Sequence, residues 1–351
     1  MRSYLSNNAA NAEASRPTLV ATVEKPAVVN KTTGDGYASL NAAFDALTGD
    51  AQLEISQDVK LTARCTLKEA YNVSITASAD VTITGPANAM WFLVNKANGV
   101  LNIGSAEHKI TLDGAGQTMT IDAAVIQREN SGLLNVTNVE FKNFDLGEKA
   151  RLIGDKQQAG VITLQDITVT NCTNPKGGYI YCLRVANDAL VLKGYLNIDE
   201  ASTGTSIYKQ ANLKSDSSTE GRIKIAKTDD ETEFTASKTV TIDWVGLDGK
   251  EVMKEGALVL IGTSGANAPL FKLLSSEWWL ARKASNGDMY VTKVDPAPTT
   301  GIDELETVEQ KANLGVYDLQ GRQIDGSRFK VQGSRMAAGI YIVNGKKMVV
   351  K

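Results

Sequence analysis

Short segments in which apolar and polar residues alternate recur through the middle of the chain. Alternation with a period of two predicts half-buried β-strands, since successive side chains of a strand point to opposite faces of a sheet. The segments with this pattern are residues 52–55, 72–76, 80–84, 99–103, 109–113, 133–136, 139–141, 160–164, 166–170, 189–192, 195–198, 221–225 and 239–243. Strands this short and numerous, separated by Gly, Asn, Asp and Thr, indicate an all-β sandwich, barrel or solenoid.

Three stretches repeat one template, and this repetition favours the solenoid. Segments 99–114, 132–143 and 160–171 each contain two strands separated by a short turn, and their starts lie 33 and 28 residues apart. Their alignment places apolar residues in common columns, among them Leu101 with Leu134 and Ile162, and Leu112 with Phe141 and Val169. Asn143 superposes on Asn171 at a turn, where stacked amides can hydrogen-bond from coil to coil. Inward and outward positions that persist between repeats are what a stacked solenoid requires.

One segment ahead of these strands has helical periodicity. Apolar residues recur at i, i+3, i+4 and i+7 from Leu40 to Leu47, which predicts a short helix over 39–47. Ser39 is a suitable N-cap, and Gly49 is suited to end the helix.

Residues 37–293 resemble the right-handed parallel β-helix of the pectate-lyase-like superfold. The resemblance implies an all-β rod of roughly nine coils with about 25–30 residues each. The short helix would cap the open N-terminal end of the first coil. At the other end, segments 278–282 and 289–292 flank Asn286-Gly287, a sequence typical of a β-hairpin. This hairpin would cover the last coil.

Both ends of the chain differ in composition from the repeats. Residues 1–36 are rich in Asn, Ala and Thr and are predicted to form a flexible N-terminal segment. The Pro- and Thr-containing stretch 294–301 is predicted to be a linker. Residues 302–351 consist of short strands and turns, with a hairpin around Asn344-Gly345, and predict a small antiparallel β-sandwich.

This last segment resembles the C-terminal sorting domain of type IX secretion cargo. The matching residues lie in YDLQGR (317–322) and GIYIVNGKKMVVK (339–351), and are Tyr317, Asp318, Gly321, Arg322, Gly339, Tyr341 and Gly345. The resemblance implies recognition by the type IX secretion machinery of Gram-negative bacteria, and an extracellular or outer-membrane surface-attached protein. Such cargo also carries an N-terminal signal. Residues 1–36 lack the apolar run of a signal, so we expect that the sequence either begins after the signal or has a misplaced start.

Composition excludes several classes of partner and cofactor. The net charge is −3, with 37 Lys and Arg against 40 Asp and Glu, so nucleic acid is not an expected partner. No stretch approaches the roughly 18 apolar residues of a transmembrane helix. A single histidine, His108, and three cysteines provide no metal-site spacing, and we expect neither a metal nor a cofactor. Cys172 and Cys182 would form a disulfide in an oxidising compartment or remain as buried thiols.

The pectate-lyase-like resemblance suggests polysaccharide chemistry, but the expected catalytic motifs are missing. Arg222-Ile223-Lys224 matches the last element of the galacturonase-like signature, whereas the Gly-His-Gly element and the preceding acid pair are absent. The outward carboxylates Asp113, Glu140 and Asp166 occupy three different registers of the repeat. We therefore predict no catalytic residue. A polysaccharide lyase or glycoside hydrolase with atypical active-site residues is the alternative, and a purely structural spacer is a third hypothesis.

The expected function is non-catalytic, adhesin-like binding to a glycan or a host-matrix surface. Aromatic side chains stack on sugar rings where they are exposed and pack in the core where they are not. The candidate carbohydrate-binding residues are Tyr179, Tyr181, Trp91, Trp244 and Trp278. Tyr179 and Tyr181 are expected to share one face beside the loop Asn174-Pro175-Lys176, which is the preferred candidate for a binding edge.

Overall fold

The computed structural model describes residues 25–155, 160–182, 190–210, 222–246 and 253–295, and four short strands nearer the C-terminus. The chain divides into two compact units, Met1–Thr299 and Thr300–Lys351. The division falls within the predicted linker 294–301.

The first unit consists almost entirely of short strands. They are β1 (Val28–Asn30), β2 (Gly36–Tyr37), β3 (Ala51–Ile55), β4 (Val59–Lys60), β5 (Cys65–Leu67), β6 (Asn72–Ala77), β7 (Val81–Thr84), β8 (Phe92–Val94), β9 (Val100–Ile103), β10 (Ile110–Asp113), β11 (Ala124–Arg128), β12 (Leu133–Lys142), β13 (Arg151–Asp155), β14 (Ile162–Thr170), β15 (Thr173–Cys182), β16 (Leu190–Ile198), β17 (Thr203–Gln210), β18 (Ile223–Ile225), β19 (Thr235–Ala236), β20 (Val240–Val245), β21 (Leu258–Ile261), β22 (Phe271–Leu273), β23 (Trp279–Lys283) and β24 (Asp288–Thr292). The helices are α1 (Leu40–Asp45) and a 3₁₀ turn, Ala268–Leu270.

These strands wind into a parallel β-helix with three faces. The first face contains β3, β6, β9, the first halves of β12, β14 and β16, then β18 and β21. The second contains β4, β7, β10, the second halves of β12, β14 and β16, and β19. The third contains β5, β8, β11, β13, β15, β17, β20 and β22. The chain visits the three faces in turn, and neighbouring strands on each face are parallel. The all-β, parallel β-helical prediction is therefore confirmed.

The register between coils is the one that the repeat predicts. Leu134 pairs with Leu101 on one side and with Ile162 on the other, and Phe141 pairs with Leu112 and Val169. All of these side chains are buried. Burial of an aliphatic or phenyl side chain contributes about 1.5–3 kcal/mol, so each column of such residues fixes the register of the next coil. The coil length is less regular. On the first face it ranges from 22 residues between Leu53 and Ile75 to 37 between Ile223 and Leu260, and on the second face it reaches 40 between Tyr195 and Thr235.

Residues with positive φ turn the chain at the corners. Asn138, Asp166 and Gly194 occupy equivalent places between the first and second faces, with φ of 53°, 57° and 61°. A Cβ on Gly194 would lie 2.0 Å from Asp166 Oδ1, so close approach as well as φ requires glycine there. At the next corner Asn171 Nδ2 donates to Asn143 Oδ1 at 2.8 Å. The predicted amide ladder is thus present.

The N-terminal end of the rod is closed by α1 and by an antiparallel pair of strands. Ser39 caps the helix by accepting a hydrogen bond from the Ala42 N–H, as predicted. The helix ends at Asp45 with Ala46 as its C-cap, and not at Gly49. β1 pairs antiparallel with both β2 and β3. Residues 25–36 therefore belong to the folded unit, which corrects their assignment to the flexible segment 1–36. Residues 1–24 lie outside the described residues.

The other end is closed by the predicted hairpin. β23 pairs antiparallel with β24, and β24 pairs with β21 of the last coil. Lys283 pairs with Asp288, so four residues form the turn instead of the two expected from Asn-Gly alone. Gly287 adopts a positive φ of 74°.

The second unit is described by four strands, β25 (Val316–Tyr317), β26 (Gln323–Ile324), β27 (Gly339–Val343) and β28 (Lys346–Val350). They form one antiparallel sheet in the order β26-β25-β27-β28. Tyr317, Gly339 and Tyr341 of the predicted sorting motif lie in these strands. The remaining motif residues, Asp318, Gly321, Arg322 and Gly345, lie outside the described residues, as does any second layer of the predicted sandwich. None of the described helices has the length and apolar character needed to cross a membrane.

Candidate functional site

Three of the aromatic residues proposed to contact sugars are buried in the core. Trp91 and Trp244 are 2% and 1% exposed, and Trp91 Nε1 donates to the Pro86 carbonyl. Tyr179 is also buried and its hydroxyl donates to the Thr203 carbonyl at 2.7 Å. Their ring faces therefore cannot contact a ligand, which corrects the expectation that they are exposed. Trp278 is partly buried against the core, and Lys293 Nζ lies 4.8 Å from its ring centroid.

Tyr179 and Tyr181 do not share a face. The pairing of β15 with β17 shifts register between Asn174 and Gly178, and Tyr179 and Ile180 are then buried one after the other in the core. This irregularity breaks the strict alternation that the sequence suggested, so Tyr179 points inward and Tyr181 outward.

Tyr181 is also buried, with 8% exposure, so it does not offer the open ring that the sequence predicted. It is the centre of a stack on the outer side of the third face. Its ring lies 5.3 Å from that of Tyr208, with an interplanar angle of 11°. The Arg151 guanidinium carbon lies 3.8 Å from the centroid of the Tyr181 ring. Arg151 belongs to the preceding coil and Tyr208 to the following one, so the two groups cover opposite faces of Tyr181. The stack therefore leaves only the far face of Tyr208 for another ring.

The outward positions continue beyond this stack. Asp243 pairs in register with Tyr208 on the next coil. The hydrogen bond from Leu274 N to the Ile242 carbonyl extends the pairing of β20 and β22, so Leu274 follows Asp243 on the last coil of this face. Leu274 is 55% exposed. We call Tyr181, Tyr208, Asp243 and Leu274 the third-face row.

The charges around the row hold its members in place. Arg151 Nη1 lies 2.6 Å from Asp122 Oδ1, which anchors the guanidinium over Tyr181. Burial raises the pKa of Tyr181 to about 12, although Arg151 opposes this shift. Burial and then the Asp243 carboxylate raise the pKa of Tyr208. Both hydroxyls therefore keep their protons at neutral pH and can donate hydrogen bonds.

The most connected carboxylate of the second face is Glu140. It accepts hydrogen bonds from Lys109 Nζ at 2.7 Å and from Thr170 Oγ1 at 2.8 Å. Burial raises the pKa of Glu140, but these hydrogen bonds outweigh burial and the net pKa is lowered. The hydrogen bond to Glu140 raises the pKa of Lys109. Neither group is tuned to exchange a proton near neutral pH, so this cluster does not suit general acid–base catalysis.

The other predicted carboxylates have structural partners. Asp113 Oδ1 accepts hydrogen bonds from the Ala115 N–H and from Asn143 Nδ2. Asp166 turns the chain at a corner. Within the residues that the structure describes, no group of three or more His, Cys, Asp and Glu side chains could hold a metal ion.

Among the described residues, the interior of the rod contains polar groups and a small apolar void. Arg128, Asp155, Lys209 and Trp244 occupy inward positions of one column of the third face and are almost completely buried. Arg128 forms an ion pair with Asp155, and Lys209 Nζ lies 5.3 Å from the Trp244 ring centroid. An apolar void of about 10 Å³, bordered by residues such as Phe141 and Leu152, is too small and too apolar to hold a ligand.

Cys65 and Cys172 are free, buried thiols. Cys172 is therefore not in a disulfide with Cys182. Burial raises the pKa of each thiol to about 12, so neither is a nucleophile at neutral pH.

Comparison of the chain with known protein families, with curated proteins and with solved structures finds no match.

Sequence reasoning missed Arg151 and Tyr208, because residues 239–243 were the only part of the third face in its list of strands. That strand contains Asp243, but its position beside Tyr208 was not predicted. Strands such as β8 and β11 are buried throughout and show no alternation. A different signal marks this face. Isoleucine recurs every 27 residues, at Ile126, Ile153, Ile180 and Ile207, and these residues form one inward column. The same period places Tyr208 directly after Tyr181.

Proposed function

We propose that this protein is a non-catalytic, carbohydrate-binding β-helix of the bacterial cell surface, related in architecture to the pectate-lyase-like superfold. The observation that carries the proposal is the stack of Arg151, Tyr181 and Tyr208 on the third face, followed by Asp243 on the next coil. It fits glycan recognition because the apolar face of a sugar ring packs on an aromatic ring while a carboxylate accepts its hydroxyl protons.

Rigidity supports this assignment. Tyr208 rests on Tyr181, which rests on Arg151, which is held by Asp122. A tyrosine with few accessible rotamers loses little conformational entropy on binding, so more of its contact energy contributes to affinity. The pairing of Glu140 with Lys109 argues in the same direction, since it leaves that cluster unsuited to proton transfer.

The second unit supports export. Its similarity to a type IX sorting domain rests on residues 317–322 and 339–351. We propose that it is recognised by the type IX secretion machinery and delivers the β-helix to the outer-membrane surface or the medium. The amount of the full chain at the cell surface and in the medium, measured in a type IX-competent strain and in a secretion-deficient strain, tests this proposal. Equal export from both strains would refute it.

A glycan array probed with the full chain tests the binding function. Tyr208→Ala should weaken binding to any positive glycan or host-matrix polymer about tenfold, because aromatic stacking and ring burial together are worth about 1–2 kcal/mol. Tyr195→Ala is the matched control, because Tyr195 is also partly exposed but lies on the second face. Silence on broad glycan and matrix panels would refute the proposal. Unsaturated uronide or reducing ends released from a polymer would instead favour the lyase or hydrolase.

A further inference from the structure

The outer surface of the first face carries no charge over four successive coils, those of β6, β9, β12 and β14. Each coil presents three outward positions there, and all twelve are at least partly exposed. We call these twelve residues the uncharged plane: Asn72, Ser74, Thr76, Val100, Asn102, Gly104, Leu133, Asn135, Thr137, Val161, Thr163 and Gln165.

The second face of the same coils is different. Six of its twelve outward positions are charged, and these are Asp80, Lys109, Asp113, Glu140, Lys142 and Asp166. Charged residues make up 22% of the whole chain. Depletion of charge is what distinguishes the core of a protein interface from the rest of a protein surface. The uncharged plane therefore has the composition of an interface core.

The polar groups of the plane already hold one another. Asn102 Nδ2 donates to Asn72 Oδ1 at 2.9 Å, and Asn135 Nδ2 donates to Asn102 Oδ1 at 2.8 Å. A polar group that keeps a hydrogen-bond partner costs less to remove from water. Beside this ladder, the aliphatic side chains of Val100, Leu133 and Val161 follow one another in a single row. The plane can therefore be covered by another protein surface at a small desolvation cost.

Charges of opposite sign border the two ends of the plane. Glu54 lies on the coil before it and pairs with Thr76, and Lys193 lies on the coil after it and pairs with Gln165. Both belong to the same row of outward positions. A two-fold rotation about an axis along the strands brings two planes face to face with the rods antiparallel. This rotation keeps each row opposite itself and reverses the order of the coils, so Glu54 of each copy faces Lys193 of the other.

The two rim residues remain available for such a contact. Glu54 contacts Lys31 at 3.3 Å and Lys193 contacts Asp229 at 3.6 Å within one copy, and each rim residue keeps part of its side chain exposed. A carboxylate accepts several hydrogen bonds and an ammonium group donates three. Contact between the copies would therefore join each pair into a network of four alternating charges.

The area of the face sets the strength of the association. The six coils from β3 to β16 span about 29 Å, and three rows of outward positions span about 20 Å. Covering this area removes about 580 Å² from each copy, or about 1,200 Å² in total, which lies at the lower limit of specific interfaces. The expected complex is thus a weak, reversible dimer with a Kd on the order of micromolar.

We propose that the uncharged plane binds a second copy of this chain in an antiparallel, two-fold dimer. The axis passes between the coils of β9 and β12, so Val100 of one copy packs on Leu133 of the other. Glu54 and Lys193 pair at both ends. The inference does not depend on the proposed glycan binding, because that site lies on the third face.

Sedimentation velocity of the full chain from about 1 μM to about 100 μM tests the proposal. The sedimentation coefficient should rise from that of a monomer to that of a dimer. Leu133→Glu should weaken the association about tenfold or more, because it buries an unpaired charge near the axis. Thr84→Glu is the matched control, since Thr84 is a partly exposed outward residue on the second face. Circular dichroism verifies that both variants are folded.

Charge reversal tests the antiparallel geometry. Glu54→Lys and Lys193→Glu should each weaken the dimer severalfold, and the combined variant should restore it, because the two charges exchange places across the interface. A chain that stays monomeric throughout, or a dimer that Leu133→Glu leaves intact, would overturn the proposal. Failure of the combined variant to restore the dimer would refute the antiparallel arrangement. A monomer that binds an insoluble polysaccharide, and loses this binding in Leu133→Glu, would assign the plane to a polymer surface instead.

Discussion

Asp155→Ala is expected to destabilise the β-helix more than any surface charge substitution. Asp155 and Arg128 face the interior on successive coils, both are fully buried, and they form an ion pair. Removal of the carboxylate leaves the Arg128 charge in a low-dielectric interior without this counter-ion. Breaking a buried pair in this way typically costs about 3–5 kcal/mol. For a unit of this size, that corresponds to a drop in Tm of roughly 6–20 °C.

Two further variants separate loss of the pair from loss of packing. Arg128→Met/Asp155→Leu removes both charges and retains apolar volume, so its stability should lie near that of the wild type. Asp122→Ala removes an exposed carboxylate that pairs with Arg151. Its cost should stay within about 1 kcal/mol, as for other surface pairs. Comparison of Asp155→Ala with the double variant therefore gives the cost of leaving a buried charge unpaired. Asp122→Ala gives the cost of breaking an exposed ion pair.

Urea and thermal unfolding of the full chain at pH 7, followed by circular dichroism, provide the comparison. The reasoning would be refuted if Asp155→Ala were no less stable than Asp122→Ala. It would equally be refuted if the double variant were as unstable as the single one, since the cost would then come from packing rather than from an uncompensated charge.

Two other predictions concern titratable groups. Burial raises the pKa of Cys65 and Cys172 to about 12. At most one of the chain's three thiols should therefore react rapidly with a thiol reagent at pH 8 in the absence of denaturant. Rapid reaction of two or three thiols would contradict the burial of Cys65 and Cys172. The pKa of Glu140 is lower in the folded state than its ordinary value of 4.5, so its contribution to stability is complete above that value and is lost as the pH falls through the folded-state pKa. Glu140→Gln should therefore be less stable than the wild type at pH 7. In urea titrations the two should converge only as the pH falls below 4.5 and through the folded-state pKa of Glu140. A constant difference would show that the hydrogen bonds do not depend on ionisation.

The coil register could be predicted from sequence because it depends on local alternation. Columns such as Leu101, Leu134 and Ile162 are apolar, with polar neighbours on both sides. A one-residue slip would move all of them to the solvent side. Short-range patterning therefore determined the first two faces, the cap helix and the terminal hairpin.

The third face and its binding row depended on tertiary structure. Strands that are buried on both sides carry no alternation, so β8 and β11 had no local signal. Tyr179 and Tyr181 are two residues apart, a spacing that places two side chains on the same face of a regular strand. A shift of register nevertheless turns Tyr179 inward. Whether an aromatic ring is in the core or on the surface is decided by such shifts, and by the coils above and below it.

By itself, the sequence determined that apolar columns recur about once per coil and that the chain must stack to bury them. The tertiary structure alone decided that Arg151, Tyr181, Tyr208 and Asp243 form one continuous outer surface. Along the chain, each of these residues is 27 to 35 residues from the next. The physical reason is that winding converts sequence separation of a whole coil into a distance of about 4.8 Å, and that conversion depends on the length of every loop between the strands.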